Sequence, residues 1–201
     1  MPRADDNFRL VRFTCPRAAT ARNHHWLPIR LAVLFNGVVE NRCRKEGFMR
    51  ITSTAFRNGG HIPHQYSHYG QDKTPPLHIE DVPADARSLL LIMDDPDAPK
   101  GLFTHWVVFN LDPKSVDLGE GLPEEARQGR NSWGESGYGG PRPPSGEHRY
   151  FFRLHALDVH LDLPSGAARN EIEEAMTGHV VAQAELMGRF AAETEPAGTT
   201  Q

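Results

Sequence analysis

Residues Ser88–Pro113 read SLLLIMDDPDAPKGLFTHWVVFNLDP, two apolar runs separated by a loop of aspartates and prolines. Ser88–Met93 has no polar interruption. It therefore predicts a strand covered on both faces rather than one with a wet side. Asp94–Lys100 carries two prolines and predicts a loop, and Thr104–Leu111 predicts a second buried strand. In that strand simple alternation puts His105, Val107 and Phe109 on one face. His148–Leu157 (HRYFFRLHAL) predicts a third strand, with His148, Tyr150, Phe152 and Leu154 on one face and Arg149 and Arg153 on the other.

Outward from this core, Met49–Phe56 predicts the first strand, and Gly59–Pro76 a long polar loop holding His61, His64 and His68. Asp112–Gly146 is mostly loop and ends in Tyr138-Gly139-Gly140-Pro141-Arg142-Pro143-Pro144-Ser145-Gly146. Past Pro164 the apolar positions Ile172, Met176, Val180, Leu186, Met187 and Phe190, with His179 and Gln183, recur every three or four residues. That spacing predicts a short helix, a break at Thr177-Gly178 and a longer helix. The expected fold is mainly β, a two-sheet β-sandwich with short C-terminal helices, spanning residues 49–192. Residues 193–201 are expected as a disordered tail.

The chain has 18 glycines and 16 prolines in 201 residues and a formal charge of −4, with a mean hydropathy of −0.54. Its charge is unevenly spread. Residues 1–48 hold nine Arg/Lys against four Asp/Glu, which leaves thirteen against twenty-two, about −9, for residues 49–201. That excess of carboxylates argues against a nucleic-acid partner. Both cysteines, Cys15 and Cys43, lie in the first segment, so residues 49–201 contain no disulfide, thiolate ligand or cysteine nucleophile.

No run reaches the ~18 apolar residues of a membrane-spanning helix, so no membrane insertion is expected. Leu27–Val39 is the nearest approach to a signal-peptide core. Arg30 and Asn36 interrupt it, and no small-residue cleavage pattern follows, so the expected location is the cytoplasm. Arg44-Lys45-Glu46-Gly47 is compatible with purine-rich codons just upstream of Met49. Residues 1–48 are accordingly expected to be a disordered arm or an upstream extension read in frame ahead of a start at Met49.

The chemistry-bearing residues gather at strand ends. Asp94, Asp95 and Asp97 follow the SLLLIM strand, His105 opens the next, and the Gly139–Pro144 loop leads into His148 and Tyr150. Imidazoles, a phenol and loop amides donate well to phosphate oxygens, and a carboxylate beside a histidine fixes its tautomer. Histidine involvement implies tighter anion binding as pH falls from about 8 to 6. His61, His64 and His68 have metal-like spacing in a polar loop where a metal site is not expected, and His78 and His155 read as surface residues. Three aspartates close together among imidazoles do not make a hard-cation site either. No cofactor is called for.

Leu91–Pro113 and Gly137–Asp158 (GYGGPRPPSGEHRYFFRLHALD) resemble the two signature segments of the phosphatidylethanolamine-binding protein family, nearest its bacterial and archaeal Raf-kinase-inhibitor-like branch. Lys73-Thr74-Pro75-Pro76-Leu77 and the Gly178–Gly188 segment are similar to further parts of that branch. The resemblance implies a two-sheet β fold and a shallow pocket for phosphate or phosphoethanolamine-like anions, with a homodimer possible. The matching pocket positions are Asp95, Asp97, His105, Gly140, Pro141, His148 and Tyr150. Arg142 between Pro141 and Pro143 departs from the eukaryotic relatives, so kinase inhibition is not carried over.

The expected function is binding or regulation without turnover, because Ser136 and Ser145 lie in Gly-rich loops outside any G-x-S-x-G elbow. The alternative is a hydrolase of phosphate or acyl substrates with His148 as general base and Asp95 orienting it. A chain starting at Met49 is expected to melt within a few degrees of the full chain. A midpoint lowered by about ten degrees or more, equivalent to several kcal/mol for a domain of this size, would show that residues 1–48 pack on the core.

Overall fold

A computed structural model describes residues 48–115, 117–118, 122–123 and 126–193. The expectations for residues 1–47 and 194–201 fall outside them. In chain order the elements are β1 (Arg50–Ser53), β2 (Gly60–His61), a 3-10 turn (His64–Tyr66), β3 (Leu77–Glu80), β4 (Ser88–Asp95) and β5 (Phe103–Leu111). They continue with β6 (Asp117–Leu118), β7 (Arg127–Gln128), β8 (Glu147–Leu157), α1 (Arg169–Met176) and β9 (Val180–Ala191). A six-stranded sheet has the order β2-β9-β8-β4-β5-β7, and a three-stranded sheet the order β1-β3-β6.

All eight residues of β4 are buried, as its unbroken apolar run requires. Leu89, Leu91 and Met93 face the smaller sheet, where they meet Ile51, Leu77, Ile79, Trp106, Phe152 and Leu154. Leu90 and Ile92 face the other way, into a second core with Val107, Phe109, Leu161 and Ile172 of α1. A buried side chain of this size contributes about 1.5–3 kcal/mol. A polar substitution almost anywhere on this strand would lose that and strand an unpaired group.

Two β-bulges shape β5. Met93 pairs with Trp106, but Asp94 pairs with Thr104, so His105 is the extra residue. A bulge re-aims the side chains around it. The expected common face of His105, Val107 and Phe109 is therefore not what forms. Val107 and Phe109 face the helix-side core, whereas His105 packs against Tyr150 on the sandwich side. A second register shift lies between the pairs Leu89–Leu111 and Leu91–Val108, around Asn110 at φ +59°. The Asn110 side chain is tied to the Leu161 backbone by two hydrogen bonds, of 2.9 and 2.8 Å. The β8 alternation holds as read, with His148, Tyr150, Phe152 and Leu154 all buried.

The C-terminal expectation needs correction. The short helix is α1, but the longer helix is strand β9, paired with β8 from Glu147–Ala191 to Leu157–Val180. Gly178, at φ +84°, ends the helical path. Beyond it Ala182, Ala184, Leu186 and Phe190 share the face toward the sandwich core. With Gly188 counted, this face recurs every second residue, a period hidden by the additional apolar residues Val181 and Met187. Pairing along the full length of β8 decides the conformation against local propensity.

Gly188 on β9 gives a measurement that separates the two conformations. A Cβ there would stand 2.5 Å from Ile62 Cγ1 and 2.9 Å from Phe56 Cε2. Gly188→Ala is expected to destabilise the protein by about 1–3 kcal/mol in a denaturant titration. In an exposed helix the same change would stabilise by roughly 1 kcal/mol, so a higher midpoint would contradict the strand.

Candidate functional site

Asp94 and Asp95 end β4 and, as neighbours in a strand, are turned to opposite faces. Asp94 is fully buried on the helix side. It accepts from Thr104 Oγ1 at 3.0 Å, from Arg153 at 3.0 Å and from Arg169, which ties α1 to the sheet. Asp95 is turned toward the sandwich side. Its Oδ1 accepts the Asp97 backbone N–H at 2.8 Å and its Oδ2 meets His148 Nδ1 at 2.7 Å. Both members of that pair are buried, at 3% and 7% exposure.

His105 sits beside them, 3% exposed. Its Nδ1 lies 2.8 Å from the Gly139 carbonyl oxygen. A carbonyl can only accept, so this nitrogen carries the proton and Nε2 is left with its lone pair. Burial, the dominant effect, pulls the His105 pKa below its ordinary 6.5 against the opposing pull of the Gly139 carbonyl and Asp95. His105 is thus a neutral acceptor near pH 7. Tyr150 packs edge-on to it with ring centroids 5.2 Å apart. The buried hydroxyl of Tyr150 makes no hydrogen bond. Burial first, and the Asp95 carboxylate second, push that phenol well above its ordinary range, so it stays protonated.

The pocket these residues enclose has a volume of about 420 Å³. Asp95, His105 and His148 line it together with Lys100, Arg142, Phe103, Trp133 and a rim of Ala98, Pro99 and Pro144. Of the residues expected there, Asp97, Gly140, Pro141 and Tyr150 are not part of the wall. Asp97 faces Arg149, on the far side of β8 from His148, and accepts its backbone N–H and two guanidinium donors at 2.7–2.9 Å. That guanidinium holds the Asp97 carboxyl down at about 2. Gly140 and Pro141 are buried behind the wall. The Gly140 N–H donates to Asp72 Oδ1 at 2.6 Å, and a Cβ on Gly140 would fall 2.4 Å from the Tyr66 carbonyl oxygen. Only glycine allows that approach. Tyr150 is fully buried behind His105, edge-on to its ring.

Three wall residues carried no local signal for this role. Lys100 follows Asp95-Pro96-Asp97-Ala98-Pro99 directly, and that adjacency to the motif was the one available hint. Phe103 packs 4.6 Å from Trp133, which also lies edge-on to His105 at 5.0 Å. Trp133 comes from a loop in which Asn131 Oδ1 accepts the N–H groups of residues 133 and 135. Ser132 and Thr104 exchange hydrogen bonds of 2.9 Å that strap this loop to β5.

The three loop histidines do not converge. His61 pairs with Glu147, His64 with Glu193 and His68 with Asp72. His68 also stacks on Trp133 at 5.9 Å, which brings it nearer the pocket than its sequence position suggested. Among the described residues no three His, Cys, Asp or Glu side chains are placed to hold a metal ion. His78 lies at the surface in contact with Asp117 and Glu80. His155 is more enclosed than expected, with a buried Nδ1 that has no partner.

The sequence profile of the phosphatidylethanolamine-binding protein family matches residues 52–191, which takes in every residue of this pocket. The chain belongs to that family. A UPF0098 protein of Methanothermobacter thermautotrophicus is 49% identical over 148 residues, covering 71% of this chain and 98% of its own length. One from Chlamydia trachomatis is 47% identical over 147 residues, with the same coverage. Among solved structures, a phosphatidylethanolamine-binding protein homologue from Chlamydia trachomatis is 46% identical with a TM-score of 0.70, covering 73% of this chain and 99% of its own. E. coli YbcL, described as a new member of the mammalian family, is 26% identical with a TM-score of 0.68, covering 73% of this chain and all of its own. These likenesses agree with the mainly β, two-sheet architecture. Among the described residues no helix is long and apolar enough to cross a membrane.

The burial of His105 has a measurable consequence. Its folded pKa lies below the unfolded value of 6.5, so acid favours the unfolded chain. The stability from burying the neutral ring is fully present above pH 6.5 and is lost as pH falls below it toward the folded value. In an NMR titration the His105 ring signals are expected to move with a midpoint below pH 6.5. Movement centred above that value would mean the ring is held in its charged form.

Proposed function

We propose that this pocket reversibly binds a small anion of the phosphate-monoester kind and does not turn it over. The observation that carries the reading is the pairing of two histidines from different strands at one wall. Each has its Nδ1 engaged, His148 by Asp95 and His105 by Gly139, which leaves both Nε2 atoms for a ligand in the pocket; an unprotonated Nε2 accepts from the P–OH of a monoanionic phosphate and a protonated one donates to a phosphate oxygen. Lys100 and Arg142 add positive charge beside them. Charge-assisted hydrogen bonds contribute about 1.5–3 kcal/mol each, offset by ordering of the ligand and side chains. An open pocket of this kind then binds in the millimolar to high-micromolar range. A cytoplasmic location goes with the reading, since the domain has no cysteine to stabilise it in an oxidising compartment.

The Asp95–His148 hydrogen bond at 2.7 Å also has the geometry of an oriented general base, which keeps hydrolysis as a second reading. Among the described residues the wall contributes no hydroxyl or thiol, so the attacking group in that case is water.

Titration with inorganic phosphate, followed by calorimetry and by NMR of the histidine rings, tests the first reading. His148→Ala is expected to weaken binding by at least ~1 kcal/mol, and Asp95→Ala also weakens it by freeing the imidazole. His61→Ala and His64→Ala, whose side chains pair with Glu147 and Glu193, are expected to change little. Sulfate, whose charge is constant over this range, isolates the protein's own pH dependence. Its affinity is expected to rise below pH 6.5 as His105 gains a proton. Equal affinity in wild type and His148→Ala would place the anion elsewhere. Hydrolysis of p-nitrophenyl phosphate or acetate that His148→Ala abolishes would select the second reading.

A further inference from the structure

The charges around the pocket narrow the class of ligand. Among the described residues Asp95 is the only carboxylate in its wall. Both of its oxygens are engaged, one by the Asp97 N–H and one by His148. The next nearest carboxylate of the motif, Asp97, is clamped by Arg149 outside the wall. An ammonium group in this pocket would therefore meet a single carboxylate, already accepting the Asp97 N–H and held by His148, against two cations.

The cations stand in the opposite condition. Arg149, Arg153, Arg169 and Arg189 all have carboxylate partners. Lys100 and Arg142 are exposed at the pocket, and neither side chain makes an ion pair or hydrogen bond among the described residues. Two uncompensated positive charges thus flank a wall whose remaining surface is Phe103, Trp133, Ala98, Pro99 and Pro144. Arg142 is held in place by the prolines on either side, and its loop is anchored through Gly140 to Asp72.

We infer that Lys100 and Arg142 make this pocket select net-negative phosphate monoesters with an uncharged apolar substituent over zwitterionic ones such as phosphoethanolamine. The inference rests on the anion-binding reading above and adds the sign and character of the substituent. An ammonium placed a few ångströms from either cation is repelled by about 1 kcal/mol through water, equivalent to about fivefold in affinity, and by more where water is excluded. An ethyl group at the same place meets the apolar rim at no electrostatic cost.

Ethyl phosphate and phosphoethanolamine differ by that one group and form the test. At fixed pH and low salt, ethyl phosphate is expected to bind about fivefold or more tightly, with the gap shrinking as salt screens the charges. In K100Q/R142Q ethyl phosphate is expected to lose affinity and the gap to close. Both side chains are exposed and unpaired, so the melting temperature should hold, and it is recorded to separate recognition from folding. Phosphatidylcholine vesicles with and without phosphatidic acid distinguish a lipid source of the monoester from a soluble one. Either source upholds the inference. Phosphoethanolamine binding as tightly as ethyl phosphate, or a gap unchanged in K100Q/R142Q, overturns the inference and leaves the anion-binding reading standing. If neither compound perturbs His105, His148 or Trp133, both fail.

Discussion

Strand β4 is covered on both faces, and the position of every functional group follows from that constraint. Its sandwich face anchors the smaller sheet and its other face anchors α1. Hydrogen bonding to β5 on one side and β8 on the other leaves no freedom of register. At its end the apolar run gives way to two aspartates with opposite destinations. Asp94 is buried against Arg153 of β8 and Arg169, which fastens α1, and Asp95 meets His148 at the pocket. A charge as enclosed as Asp94 is tolerated because each oxygen has a cationic partner, and removing those partners would cost several kcal/mol.

The pocket is built where three adjacent strands end, and regularity alone would not have produced it. The bulge in β5 turns His105 to the side where Tyr150 and His148 already point. Without it, His105 would lie on the helix side with Val107. The Gly139 carbonyl then fixes the tautomer, and Trp133 and Phe103 close over the ring. At this pocket the molecule departs from an ideal sheet in the bulge at His105 and in the Tyr150 hydroxyl, buried without a hydrogen bond. Such departures gather at functional sites because a regular, fully satisfied sheet has nothing left to offer a ligand.

Membership of the phosphatidylethanolamine-binding protein family accounts for the scaffold. The ligand preference we infer rests instead on the two charges, Lys100 and Arg142, that line this pocket. Fold and family identify where a ligand sits more securely than which ligand it is.

The sequence by itself determined the buried strands β4, β5 and β8, the aspartates at the end of β4, and the alternation that puts His148 and Tyr150 together. Each of these is a local pattern of apolar and polar residues with a period set by the backbone. Only the tertiary structure decided that Val180–Ala191 is a strand, because its apolar positions fit both a helix and a sheet until β8 supplies a partner. It also decided that His105 leaves the face shared by Val107 and Phe109, since a bulge is a mismatch between two strands and cannot be read from one. Trp133 reaches the pocket through loop hydrogen bonds to Asn131 and Ser132, and Asp97 leaves the wall because Arg149 captures it. Both outcomes depend on groups brought together by folding, between 28 and 52 residues apart for the Ser132–Thr104 strap and the Asp97–Arg149 clamp.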